Sequence, residues 1–239
     1  MRKSTVFFLC VILLWSCSEE EPIAPTPKPP ADKLTYTIDY FKAVALGVEF
    51  GNASAITRKW NMPMKIFVGG EAQAVLQQEL IAIVDELNVL TTDNFAISIT
   101  QDSLESNCYV FFGSSTSFVK VYPASASNIQ SNWGLFYYFW NAQNDVYKSV
   151  VFVDTHRTRN DAERKHLLRE ELTQSLGLAR DSELYPESIF QSAWTTTNEY
   201  AEIDRDLIRL LYHPTVKSGL TANQVDPILR QAWKDFHPN

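Results

Sequence analysis

Four side chains within one short stretch could share a chemical task. His166, Glu170 and Gln174 recur at every fourth residue, and Glu171 stands beside the middle one. A helix turns about 100° per residue, so the first three fall on one stripe. Leu168, Leu172 and Leu176 fall on a stripe opposite, with Glu171 close to the leucines. A glutamate so placed is expected to be partly buried with a perturbed pKa, the condition in which a carboxyl serves as general base or acid. Glu170, Gln174 and Asp181 are candidates to position water, a substrate or a hard cation around it. Glu170 and Glu171 point about 100° apart on a helix, so they do not form a facing pair. His166 with Glu170, and more weakly Gln174, are candidate metal donors, whereas a catalytic zinc site needs three protein ligands and an open position. The plainest alternative is a polar stripe turned to bulk water.

Glu170-Glu171-Leu172-Thr173-Gln174-Ser175-Leu176-Gly177-Leu178 resembles the zincin active-site helix, HExxHxxGL, with both histidines replaced. The resemblance puts Glu170 and Gln174 at the first two ligand positions and Glu171 at the general base. It also puts Gly177 at the turn and Arg180 at the third-ligand position of one zincin branch, with Asp181 one residue beyond. A wider resemblance joins RKWNMPMKIFVGG (58–70), SVVFVD (149–154), EELTQSLGLARDS (170–182), PESIF (186–190) and EIDRDLIRLLYHP (202–214). Through these segments the chain is similar to the uncharacterised bacterial family catalogued as domain of unknown function 2927, many of whose members are lipoproteins. It implies a zincin-like, metallopeptidase-like architecture in which EExxQ is the usual form, with no established activity. Losing two imidazoles removes the donors that suit zinc, and an uncharged Gln oxygen is a poor substitute. No cofactor is therefore expected, with zinc or another divalent cation as the alternative. The domain is expected to be a binding or assembly module that lacks a standard zinc site. The alternative is a hydrolase, peptidase-like or glycan-directed, with Glu171 as general base.

These residues need a scaffold, and the patterning supplies one. Helices are expected over Thr37–Glu49 and Glu71–Leu87, the latter from Leu76, Leu80, Ile83, Val84 and Leu87 at helical spacing. Strands are expected at 64–68, 95–99, 108–112 and 149–153, the last two as continuous apolar runs. Trp133–Trp140 reads as a strand or a substrate-facing wall, with buried aromatic core preferred. Asn160 is an N-cap with Glu163 at N3, and Gly177 ends that helix. Further helices run over Glu199–Tyr212, where Asp204, Arg205 and Asp206 form the polar side, and from Thr221 towards Phe236. GSSTS (113–117) reads as a loop. Sheet signals first and helices after indicate an α+β fold: a mixed sheet with packed helices and a helical C-terminal part.

The N-terminus reads as an address. Arg2 and Lys3 precede an apolar run from Val6 to Trp15, which as helix rises only about 15 Å, too short for a hydrocarbon core of about 30 Å. It is therefore a signal peptide over 1–16. Leu14-Trp15-Ser16-Cys17 resembles a lipobox, which implies lipidation, with palmitate among the acyl chains, at Cys17 and a membrane partner through that lipid. Glu19–Glu21 resemble a surface-export signal, and the prolines of 22–33 form an extended spacer. A lipidated acidic and Pro-rich tether (17–33) then leads into one domain (34–239). The expected location is the outer membrane of a Gram-negative bacterium, with an envelope or extracellular peptide or glycan as ligand.

Other chemistries find little support. The 239 residues carry 28 acidic and 21 basic side chains, net −7, against the basic face that nucleic acid requires. There is no CxxC, GxSxG, P-loop or GxGxxG. Cys10 leaves with the signal, and Cys108 in CYVFF reads as a buried small hydrophobe. His156, His213 and His237 fall in turns or at the terminus.

Overall fold

The protein is described by a computed structural model covering residues 32–238. The signal segment, Cys17, Glu19–Glu21 and most of the spacer lie outside the described residues. Helix α1 (Lys33–Ala45) opens with the Asp32 carboxylate accepting the Leu34 N–H at 3.1 Å, an N-cap at the edge of the spacer. The six strands are β1 (Lys59–Trp60), β2 (Met64–Gly70), β3 (Ile97–Ile99), β4 (Cys108–Gly113), β5 (Gly134–Trp140) and β6 (Asp145–Asp154). They make a sheet of order β1-β6-β4-β2-β3 with parallel pairing throughout, and β5 pairs antiparallel to β6. This mixed sheet with packed helices is the fold class expected.

The continuous apolar runs are explained by two covered faces. On β4 and β6, Val110, Phe112, Val151 and Val153 enter the main core, while Phe111, Val150 and Phe152 enter a second cluster on the opposite face. Strands buried on both sides cannot alternate polar and apolar residues. The second cluster is closed by Phe118 of α3 (Ser115–Val121), whose ring stacks on Phe152 at 4.6 Å. That short helix stands where a loop was expected. Ser114 caps it by accepting the Ser117 N–H, a role for which the serine-rich segment is suited.

The main core lies between the sheet and helices α2 (Ala74–Leu90), α4 (Asp161–Gln174), α5 (Glu202–Leu211) and α6 (Ala222–Phe236), with α1 packed on α5 and α6. The expected α2 stripe, Leu76 to Leu87, is buried. Arg169, 5% exposed, pins α4 to α2 by donating to Glu86 at 2.7 Å and Glu79 at 3.0 Å. At the start of α4, Asn160 accepts the Glu163 N–H at 3.0 Å, as its sequence predicts. At the other end Gly177 adopts φ +116°, and a Cβ there would meet the Arg58 carbonyl oxygen at 1.9 Å. The carbonyls freed at this end are taken up by neighbours: Trp60 Nε1–H donates to Ser175 O at 3.0 Å, and the Tyr212 hydroxyl to Leu176 O at 2.8 Å. Among the described residues no helix is long and apolar enough to cross a membrane.

Asp204 and Asp206 do not form a solvated helix face as expected. Both are at most 1% exposed. Asp204 turns inward because the chain before α5 brings donors to it: the Ser188 hydroxyl at 2.5 Å, Ile189 N–H at 3.1 Å and Ala201 N–H at 3.0 Å. The Tyr40 hydroxyl donates in turn to Ser188. One buried carboxyl thereby ties the 182–200 segment to α1 and α5. Burial outweighs these hydrogen bonds and raises it to about 6.

Candidate functional site

Helix α4 has no wet face along its middle. His166 is 3% and Gln174 2% exposed, so the polar stripe is covered rather than turned to bulk water. The covering comes from the 182–200 segment, a contact that local periodicity cannot reveal. Between this segment, α4 and the start of β5 lies a cavity of about 520 Å³. All five candidate residues of this region, His166, Glu170, Glu171, Gln174 and Asp181, line it. So do Glu49, Trp133, Gly134, Arg159 and Trp194, which sequence reasoning did not single out for this site.

Contacts link these groups in a ring. His166 Nδ1 lies 2.6 Å from the Thr197 carbonyl, so that nitrogen carries the proton and donates. Its Nε2 lies 3.3 Å from Glu170 Oε2. Burial pulls the imidazole pKa down, but the Glu170 carboxylate and the Thr197 carbonyl outweigh it and hold the pKa above its ordinary value. The same ring stands 6.3 Å edge-on from Trp194, which meets Trp133 at 5.3 Å and 72°. Gly134 follows Trp133 and lies against Glu171, where a Cβ would come within 2.3 Å of Glu171 Oε1. Glycine is required here for close approach, not for its backbone angle. Gln174 Nε2 donates to Asp181 Oδ1 at 2.6 Å across the turn at Gly177.

Glu171 is the least supported carboxyl of the group. It is 7% exposed, and its Oε2 has no hydrogen-bond partner among the described residues. Burial first, then the charges of Glu170, Glu49 and Asp181, push its pKa well above the ordinary value. Asp181 is raised to about 6, by the surrounding protein and then Glu170, with Gln174 and His166 opposing. Both Asp181 and Glu49 keep surface open to solvent at the mouth, so water offsets part of that crowding. Glu49 is also pushed upward, by its surroundings and then by Asp181 and Glu170.

The donor set does not suit a zinc ion. Among the described residues no three His, Cys, Asp or Glu side chains lie together so as to hold a metal. Gln174 turns its amide nitrogen, not an oxygen, to Asp181, and both nitrogens of His166 face oxygen partners. No chemical step is therefore routed through a metal here.

Glu49 was missed because α1 ends at Ala45, four residues before the expected end, and Gly47 (φ +126°) redirects the chain. No local signal marks its arrival at the cavity. Trp133 was seen only within an aromatic run whose later members, Phe136 and Tyr138, are indeed core. Trp194, 50% exposed in a loop, carried the one available cue, since a large exposed aromatic is costly without a use. Cys108 is wholly buried, its thiol pushed up to about 12 by burial, and it faces no part of the cavity.

A family profile described as "Protein of unknown function (DUF2927)" matches residues 35–231. No curated protein matches the chain. Among solved structures, one titled "Structure of myroilysin" is similar at 12% identity, covering 82% of this chain and 98% of that one, with a TM-score of 0.32.

Proposed function

The chain belongs to the DUF2927 family of proteins of unknown function, and we propose that it is a lipid-anchored cell-envelope protein whose zincin-like domain binds a peptide or glycan ligand without a metal. One observation carries the binding role. The residues at the degenerate motif positions, with Asp181 and His166, converge on one open cavity walled by tryptophans, yet offer no metal-holding geometry. Concave sites with a few converging polar groups among aromatic walls are where ligands bind. The anchor rests on Leu14-Trp15-Ser16-Cys17, and the proline-rich spacer gives the domain reach from an outer membrane. Labelled palmitate should enter the wild-type precursor and not the Cys17→Ala variant. Binding is tested by following tryptophan fluorescence in the presence of chelator, while adding short peptides and cell-wall glycan fragments. A saturable change with one set, lost in Trp194→Ala, is expected; silence with both sets would contradict the binding role.

A second reading has its own observation, the buried and unpartnered Glu171. In a hydrolase it would handle the proton, while Glu170, Gln174 and Asp181 position water or substrate. Burial pushes its pKa upward and favours the protonated form, the form that gives a proton before taking one. Any peptide or glycan hydrolysis by the purified protein should then vanish in Glu171→Gln. Unchanged turnover in that variant would remove this mechanism.

A further inference from the structure

Building on the binding role, we infer that the cavity recognises a positively charged side chain, a protonated lysine presented by a peptide. Four of the lining residues are acidic, Glu49, Glu170, Glu171 and Asp181, and Arg159 is the only Lys or Arg among them. Arg159 is already engaged, its Nε donating to Glu163 at 2.7 Å. His166 contacts Glu170 directly and acts on Asp181 only through its charge. Asp181 has only the neutral Gln174 amide, and Glu171 has no partner for Oε2. Glu171 Oε2 is therefore a buried acceptor that is costly unless a ligand donor meets it, and the solvent-open Asp181 and Glu49 carboxyls add acceptor oxygens at the mouth.

The cation that fits is organic rather than metallic. Ammonium N–H groups pair with separate carboxyl oxygens in no fixed coordination shell, whereas metal ions need converging donors that are not present among the described residues. The aromatic wall points the same way. Trp133 and Trp194 pack edge to face at 72°, so the wall offers aromatic surface in two orientations rather than one flat platform. A point cation lying over either exposed ring face would gain cation–π attraction. A sugar ring, by contrast, stacks on one flat aromatic face. His166 stands beside this wall, 6.3 Å from Trp194, so the ammonium would sit between the two tryptophans and the Asp181 and Glu171 carboxyls.

The test is calorimetric titration of the mature full-length protein, in chelator, with a blocked pentapeptide carrying one central lysine. Its acetyl-lysine counterpart, a glutamate counterpart and a chitosan oligomer complete the set. The lysine peptide should bind, with affinity falling at least about tenfold on acetylation, which removes the charge. Trp194→Ala should lower it about two- to thirtyfold, the range of a cation–π contact. Affinity should fall as salt is raised. Equal binding of lysine and acetyl-lysine peptides, or preference for the glutamate peptide, overturns the inference and leaves the binding role standing. Preference for the chitosan oligomer overturns the peptide assignment in the same way. Failure of all four ligands overturns the inference; the wider peptide and glycan sets above decide the binding role separately.

Discussion

The surroundings of Glu171 favour its protonated form, and this sets how the protein should respond to pH. Its ordinary pKa is 4.5 and its folded value lies well above that. Between the two, the folded state keeps a proton that the unfolded state has released, so this residue's contribution to stability falls as pH rises. Glu171→Gln removes the titration while keeping nearly the same shape. The variant's melting temperature, relative to wild type, should therefore climb as pH rises above 4.5 and level off once the pH passes the raised folded value. A gap that does not change with pH would show that the carboxyl is not buried as described. Gly134 belongs to the same contact. A methyl group there meets Glu171 Oε1 at 2.3 Å, so Gly134→Ala should cost about 1–3 kcal/mol by overpacking. In Glu171→Ala the obstruction is gone, and a double-mutant cycle in urea should show coupling of about 0.5–3 kcal/mol. Additive effects would separate the two residues. At this scale the sequence was informative about α4: the leucine stripe, the Asn160 cap and the burial of Glu171 all follow from spacing and residue type. Where the polar stripe faces does not follow, because the answer lies in a segment that begins beyond the helix.

That segment is an element without regular structure, and its placement depends on Asp204. The carboxyl accepts from the buried Ser188 hydroxyl and Ile189 amide and from the part-buried Ala201 amide. Asp204→Ala would leave these donors unmet, at about 1–3 kcal/mol each where no other partner replaces it. The 182–200 segment should then loosen before the sheet does, exposing His166 and Gln174 and weakening ligand binding. Limited proteolysis is the check: new cleavage within 182–200 at temperatures where wild type resists, with the rest of the chain still protected. Cleavage spread evenly along the chain would mean that the segment is not a separate unit. Its sequence, rich in Ser and Thr with an exposed Trp194 inside it, looks like an ordinary loop, and Asp204 looks like a solvated helix residue. Both impressions fail for one reason, since the buried carboxyl and its donors come from different elements. The strands were easier to foresee, because β4 and β6 are buried on both faces and their apolar runs state this locally.

Across the whole molecule, the acidic balance noted from composition acquires a location. Net charge of −7 could be spread evenly as solvated surface. Four of the 28 acidic side chains nevertheless gather at one cavity, where burial and mutual repulsion push Glu49, Glu171 and Asp181 toward their protonated forms. If Cys17 carries the proposed lipid, the proline-rich spacer would let the domain present that cavity to envelope or extracellular ligands. Under the proposed binding role, Glu170, Glu171 and Gln174 on α4 would serve recognition, since fold alone does not carry chemistry without its site. The most direct measurement is the metal content of the mature protein, purified without chelator and analysed by elemental mass spectrometry. The account predicts no stoichiometric zinc, manganese or calcium. One tightly held metal per chain, lost together with His166→Ala or Glu170→Ala, would contradict it.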